Sequence, residues 1–555
     1  MRKSLFLFLA MLPMVMMAQI SKNVTVANAG ELKNQISDEE KFRVSVLSVS
    51  GPLNGNDIKL LQEMVNRSKA SEKKGEYLVT KLDLSGAMIM EGKDGMKLKA
   101  NELPNGCFSG AKGLISVSLP RALTSISKNC FSDCNNLVEV VIPGSVKEIG
   151  NSAFEDCKAL AAIGLPSGLT SIGSNAFNNC EALTMIEIPA SVKEVGDNAF
   201  NDCKALTSAN ILGQLKRINK SCFKDCKALA TIALPESLNE IEADAFKDCK
   251  NLGNFNLPSG VTEIGNGAFE NCESLTAIDL SNVKKVANNA FQDCKRLEGV
   301  SFTNLSNLGS DAFKGCAALT SANLQGSLKK IDNETFEGCT SLTSVNLPSS
   351  VKVIGSDAFK GCKSLPTITL PELEKLNSSA FEGCAMLDNI NISGTLTEIA
   401  TSTFENCKSL HTISLPASLR EIGTKAFQGC TALADITLPV ALTEIKDDAF
   451  EGCLALTRIE IPVGVTSIGS DAFYECATLQ TVILPAALKK IGGSAFAKCP
   501  ALREVRLNCP APPSISKNTF KDVVACTFWI PKNTASIYAA DKVWAKLATI
   551  KEVEQ

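Results

Sequence analysis

Hydrophobic and polar positions along this chain follow neither the two-residue alternation of a single sheet nor the 3.6-residue period of a long helix. They repeat as a block. The segment Cys226 to Phe246 reads C-x-x-L-x-x-I-x-L-P-x-x-L-x-x-I-x-x-x-A-F, and the same order of apolar positions recurs down the chain. Every Phe followed three residues later by Cys marks one block, from Phe131, Phe154 and Phe177 on to Phe473 and Phe496. The step is 23 residues, except that Phe269 to Phe291, Phe291 to Phe313 and Phe359 to Phe381 are steps of 22. A fixed period of this length belongs to a repeat array, in which each unit buries its apolar face only against its neighbours.

Within a block, Leu229, Ile232 and Leu234 have the spacing of a short strand that turns alternate side chains inward. Pro235 marks the exit from the sheet, because Pro cannot donate to a ladder paired on both sides. Leu238 and Ile241 predict a second short extended piece. Phe246 and Cys249 then point into the core. The fold expected is a repeat solenoid, a right-handed coil of short parallel strands with about 18 coils of 23 residues, capped at both ends.

Units such as CTSLTSVNLPSSVKVIGSDAF, Cys339 to Phe359, resemble the BspA-like, or treponemal-type, leucine-rich repeats of bacterial surface and secreted proteins. The resemblance extends from about Gly106 to Asn508. It implies a curved leucine-rich-repeat solenoid with a role in adhesion to, or binding of, host or bacterial macromolecules. It implies no particular ligand, since the motif residues are those that build the coil.

The ends depart from the repeat. Met1-Arg2-Lys3, the apolar run Leu5 to Met17 and then Ala18 have the three parts of a secretory signal, so residues 1–18 are expected to be removed. The first Cys is Cys107, which argues against an N-terminal lipid anchor. Residues 19–105 are expected to form an N-terminal cap of strand, helix and strand, with helical periodicity from Asn56 to Arg67 between the strand-like RVSVLSVSG and LVTKLDLSG. Residues 106–508 hold the repeats. Residues 509–555, opening with Cys-Pro-Ala-Pro-Pro and carrying TFWIP and a helical stretch, form the C-terminal cap; its aromatics, Trp529 and Trp544 included, are expected to bury against the last coil.

Composition then narrows the function. With 56 basic and 59 acidic residues the net charge is -3, which leaves no footprint for a nucleic acid. No later stretch has the length of a membrane span. The 22 Cys show no Cys-x-x-Cys pair and there is a single His, so neither a zinc site nor any cofactor is expected. Ladder Cys aim in parallel from successive coils, the wrong geometry for bridging, and are expected to be buried free thiols acting as small hydrophobes. Two pairs outside the ladder, Cys509 with Cys526 and Cys107 with Cys130, could form disulfides. His411 sits at a surface position with no exposed nucleophile in its motif, so no enzyme is expected.

What is left is the outward side of the strands. Asn210, Asn256, Asp279, Ser301, Asn323, Asn346, Thr369, Asn391, Ser414 and Thr437 lie between the second and third core positions of their strands and form a stripe of small hydrogen-bonding groups. Near its middle the strand-ending Pro gives way to Ser281, Thr303 and Gln325. The expectation is an exported binding scaffold, secreted, periplasmic or attached to the cell surface, that acts as a monomer and recognises a protein or glycan through the concave strand face. The alternative is a self-associating structural or cell-surface coat protein.

Overall fold

The structure is a computed structural model that describes residues 20–66, 79–547 and 549–553. The expected signal segment lies outside them. The chain divides into two compact units, residues 1–194 and 195–555.

In the first unit, strands Ile20–Thr25, Val44–Leu53 and Lys81–Ile89 pair in parallel, and the last continues in register onto Ser116–Ser118 and Glu139–Val141 of the first coils. The helix between the second and third strands is Gly55–Val65, which begins one residue before the expected stretch and ends two residues short of it. Its start is fixed chemically. Asn54 accepts from the backbone N–H of Asn56 and Asp57, and the Asp57 carboxylate receives the N–H of Asn54 in return. The same carboxylate takes the N–H groups of Gly30 and Leu32, at 2.6 and 3.0 Å, and so ties the helix start to the turn after the first strand.

The second unit is a stack of the 23-residue coils. Most coils contribute one strand to a face such as Ser208–Ile211 or Thr231–Ala233, and a shorter two-residue strand to the return side; at Asn254, Ala277 and Thr367 the face is paired by single bridges. On that return side Arg217–Ile218, Glu240–Ile241, Glu263–Ile264 and Lys285–Val286 pair in parallel, residue on equivalent residue. Between the faces lies the core. Ladder Phe, Leu and Cys are all but fully buried, and the Phe rings from Phe200 onward stack coil on coil with centroids 5.1 to 5.6 Å apart. The third strand position is less committed than its hydrophobicity implies: of those followed by Pro, Leu234, Leu257, Leu347 and Leu415 are only half-buried, whereas Leu370, Leu438, Ile461 and Leu484 are buried.

Two features of the coil go beyond the apolar pattern. The thiol of each ladder Cys donates to the carbonyl of the Phe one coil earlier, Cys249 Sγ to Phe223 O at 3.1 Å and Cys272 Sγ to Phe246 O at 3.2 Å, with the same contact on the coils that follow. The expected small hydrophobe is therefore also a hydrogen-bond donor. Second, each coil bends at two left-handed residues, two before and two after the Phe. Asp244 and Asp248 (φ 55 and 61) flank Phe246, and Lys425 and Gly429 (φ 58 and 72) flank Phe427. The crowding of Cβ against the following carbonyl makes this conformation costly for most residues and mild for Gly, Asn and Asp, which is why those types dominate the two positions.

At the C-terminal end, Thr527–Ile530 and Ile550–Glu552 add two parallel strands to the last coils. Trp544 and Tyr538 close the core behind them. The Trp544 indole N–H donates to Pro513 O at 2.8 Å and the Tyr538 hydroxyl to Cys509 O at 2.9 Å, so each buried polar tip is satisfied.

Lys425 offers a direct check on the turn geometry, since its long side chain makes no described ion pair that a change would remove. Lys425→Gly should relieve roughly 1–2 kcal/mol of left-handed strain at an entropic cost of about 0.5–1 kcal/mol. Chemical denaturation should show the variant more stable by about 0.5–1 kcal/mol, and a loss of stability would contradict the assignment.

Candidate functional site

Each strand of the second unit points its side chains alternately in and out, so the coil that builds the core also fixes an outward row. The residues expected there each follow a buried strand residue and precede a buried or half-buried one. Asn256, Asp279, Ser301, Asn346, Thr369, Asn391, Ser414 and Thr437 are exposed, and Asn210 and Asn323 are half-buried. Backbone register aligns Ser301 with Asn323, Asn323 with Asn346, and Asn391 with Ser414. Asn210 aligns with Ala233, so the polar row is broken at that coil.

The centre of the row is internally hydrogen-bonded. Asn346 Nδ2 donates to Asn323 Oδ1 at 3.0 Å, Asn323 Nδ2 to Ser301 Oγ at 3.2 Å, and Gln325 Nε2 to Asn323 Oδ1 at 3.3 Å. An amide has two N–H donors and two oxygen lone pairs. These contacts hold the side chains in place while leaving hydrogen-bonding capacity toward solvent. The coils of Ser301 and Asn323 lack the strand-ending Pro, and their strands run longer, Gly299–Leu305 and Ser321–Gly326, than Ser344–Asn346, which is followed by Pro348. One coil earlier, Asp279 accepts the Ser281 N–H at 2.9 Å, which holds its carboxyl below the usual aspartate range.

The row does not end at Thr437. Glu460 aligns with Ile483, Ile483 with Arg506, Arg506 with Trp529, and Trp529 with Lys551. Two tryptophans grouped by sequence therefore have different roles: Trp544 is buried in the cap, whereas Trp529 is half-buried on the strand face. The signal was present in TVIL, EVRL and TFWI (481–484, 504–507, 527–530), three segments with the same in-and-out pattern. Reading residues 509–555 only as a cap hid it.

Other candidate chemistry is spent on structure. His411 is exposed but not simply solvated, because its Nδ1 lies 2.6 Å from Asp388 Oδ1, one coil earlier. The nearby ladder thiol, Cys407, is buried against Phe381 O at 3.1 Å and out of reach of that pair. Cys107, Cys130, Cys509 and Cys526 are free and buried in this structure, so neither expected disulfide is formed in it. Cys509 Sγ turns to Pro485 O and Cys526 Sγ to Thr527 O, which are different acceptors, whereas burial and then the neighbouring Cys107 push the Cys130 thiol up from its ordinary range. Among the described residues no group of three His, Cys, Asp or Glu could hold a metal ion, and no helix is long and apolar enough to cross a membrane.

A family model described as BspA type leucine rich repeat region matches residues 101–230, 216–343, 329–456 and 420–540. No curated protein matches the chain. Solved structures with likeness include a leucine-rich repeat protein from Bacteroides ovatus, at 23% identity over 83% of this chain and 88% of that one, TM-score 0.34. A leucine rich cell surface protein from Faecalibacterium prausnitzii is 25% identical over 65% and 83%, TM-score 0.27. A T. pallidum leucine rich repeat protein is 26% identical over 42% and 76%, TM-score 0.22. At such TM-scores these structures carry no argument about a binding site.

Burial pushes the ladder thiols up from their ordinary 9.0, to about 12 for Cys134, Cys384 and Cys499. The unfolded chain thus releases thiol protons at a lower pH than the folded one. Stability is complete below pH 9 and falls as pH rises toward 12, each such thiol withdrawing up to about 1.4 kcal/mol per pH unit. Urea midpoints measured across this range should drop steeply; a flat profile would contradict protonated, buried thiols.

Proposed function

Because the chain belongs to the BspA-type leucine-rich-repeat family, we propose that it is a non-enzymatic binding scaffold whose strand face in residues 195–555 recognises a protein or glycan. The observation that carries this reading is the hydrogen-bonded series Ser301, Asn323 and Asn346, aligned by backbone register and held in place before any partner arrives. Prior ordering lowers the entropic cost of binding. The reactive groups of the repeat point elsewhere: ladder thiols face the core, and the Phe carbonyls are taken by the next coil.

In this reading residues 1–18 direct export, residues 19–105 and 509–555 close the two ends, and the protein acts as a monomer in a secreted, periplasmic or surface-attached form. The stripe has few of the Trp, Tyr and Arg side chains that concentrate binding energy. Affinity along it is then the sum of many weak polar contacts to an extended partner.

A screen of the mature chain against extracellular-matrix proteins and glycans tests the proposal, repeated with Asn210, Asn256, Asn323 and Asn346 each changed to Trp. Expected is binding to the wild type that weakens at least tenfold, about 1.4 kcal/mol, in Asn323→Trp and Asn346→Trp with circular dichroism unchanged. Equal binding by all the variants would move the site off this row.

A further inference from the structure

The strand face changes character at its C-terminal end. Where earlier coils present Asn, Ser and Thr, the last three aligned positions are Arg506, Trp529 and Lys551. Together with Glu504, Glu552 and Val553 they line an open depression of about 580 Å³. Trp529 is the one tryptophan not sealed in the core, since Trp544 is completely buried.

The surrounding charges are arranged around the ring. Lys551 Nζ lies 5.8 Å from the Trp529 ring centroid, and Arg506 is one strand away on the other side. Arg506 Nε donates to Glu504 Oε1 at 2.8 Å, which orients the guanidinium and leaves its terminal amino groups with no described partner. Glu552 Oε1 accepts the backbone N–H of Ala535 at 2.9 Å and is fixed by it. Two cations and two carboxylates leave the depression neutral overall. That balance disfavours a polyanion such as a nucleic acid, which would meet both Glu side chains. Apolar anchors are limited to the indole and Val553, too few for a hydrophobic peptide.

We propose that this depression binds a carboxylate-bearing sugar ring, stacked on Trp529, with its carboxylate received by Arg506 or Lys551 and its hydroxyls donating to Glu504 and Glu552. The chemistry fits each part. The electron-rich face of an indole attracts the weakly positive C–H face of a sugar ring. Arg506 and Lys551 stand one strand spacing, about 4.8 Å, to either side of the stacked ring, where a guanidinium can take a carboxylate in two parallel hydrogen bonds. Ionised Glu side chains are acceptors only, matched to sugar hydroxyl donors. The inference rests on the strand face being a binding surface, and it names one ligand class and one end of that face. Uronic and sialic acids share this chemistry.

Tryptophan fluorescence of the mature chain, titrated with trigalacturonate, 3′-sialyllactose and the neutral cellotriose, tests it. A saturable change with at least one acidic probe is expected, and which probe responds identifies the source. Cellotriose should bind at least tenfold more weakly. Calorimetry should show binding lost in Trp529→Ala and weakened at least tenfold in Arg506→Gln, with circular dichroism and thermal midpoint unchanged in the latter. No saturable response to either acidic probe up to about 10 mM, equal binding of cellotriose, or undiminished binding by Trp529→Ala would overturn the proposal. Asn323→Trp and Asn346→Trp should leave this binding intact, so its failure is distinguishable from failure of the stripe.

Discussion

Everything in the second unit depends on one seam, where the Phe of each coil stacks on the Phe of the next and its carbonyl receives the thiol of the following coil's Cys. Phe246 shows the arrangement. Its ring lies 5.6 Å from that of Phe223 and 5.4 Å from that of Phe269, its N–H donates to Ala268 O at 2.8 Å, and its carbonyl accepts both Cys249 N–H and the Cys272 thiol. Without the thiol this buried carbonyl would keep only the Cys249 N–H, with its second lone pair unpaired in a dry core. The short side chain of Cys reaches the carbonyl and fills the space beside the ring. Ala could fill part of that space but could not donate.

The seam also dictates what surrounds it. A chain that must turn sharply on both sides of a buried Phe needs left-handed backbone twice per coil, which concentrates Asp, Asn and Gly at positions that look merely polar. Neighbouring coils are nearly identical, so register needs its own support. Charge supplies some of it, as in Lys247 with Glu270 at 2.7 Å and Lys360 with Glu382 at 3.0 Å, where the residue after Phe alternates in sign between successive coils. Individually such half-exposed pairs add little stability; their value is in penalising a shifted pairing.

The period, the strand positions, the buried Phe and Cys and the outward row were legible because each depends on spacing alone. What spacing could not show were the properties set by neighbouring coils. Cys272 reads as a small hydrophobe until the Phe246 carbonyl is placed beside it. Asp388 and His411 are 23 residues apart and become a pair only when the coils stack. Asn210 and Asn256 look like neighbours in a polar stripe until register puts Ala233 next to Asn210. Trp529 was hidden differently: its strand follows a Pro-rich break, and the break suggested a cap when the face in fact continues.

If the Phe and Cys seam is what holds the coils, it should be the last part of the second unit to open. Amide hydrogen exchange resolved by peptide would show this most directly. The amides of the Phe-x-x-Cys segments from Phe223 to Phe473 should exchange slowest and as a group, more slowly than the turns that follow each Pro. Seam amides exchanging at the rate of those exposed turns would contradict the account.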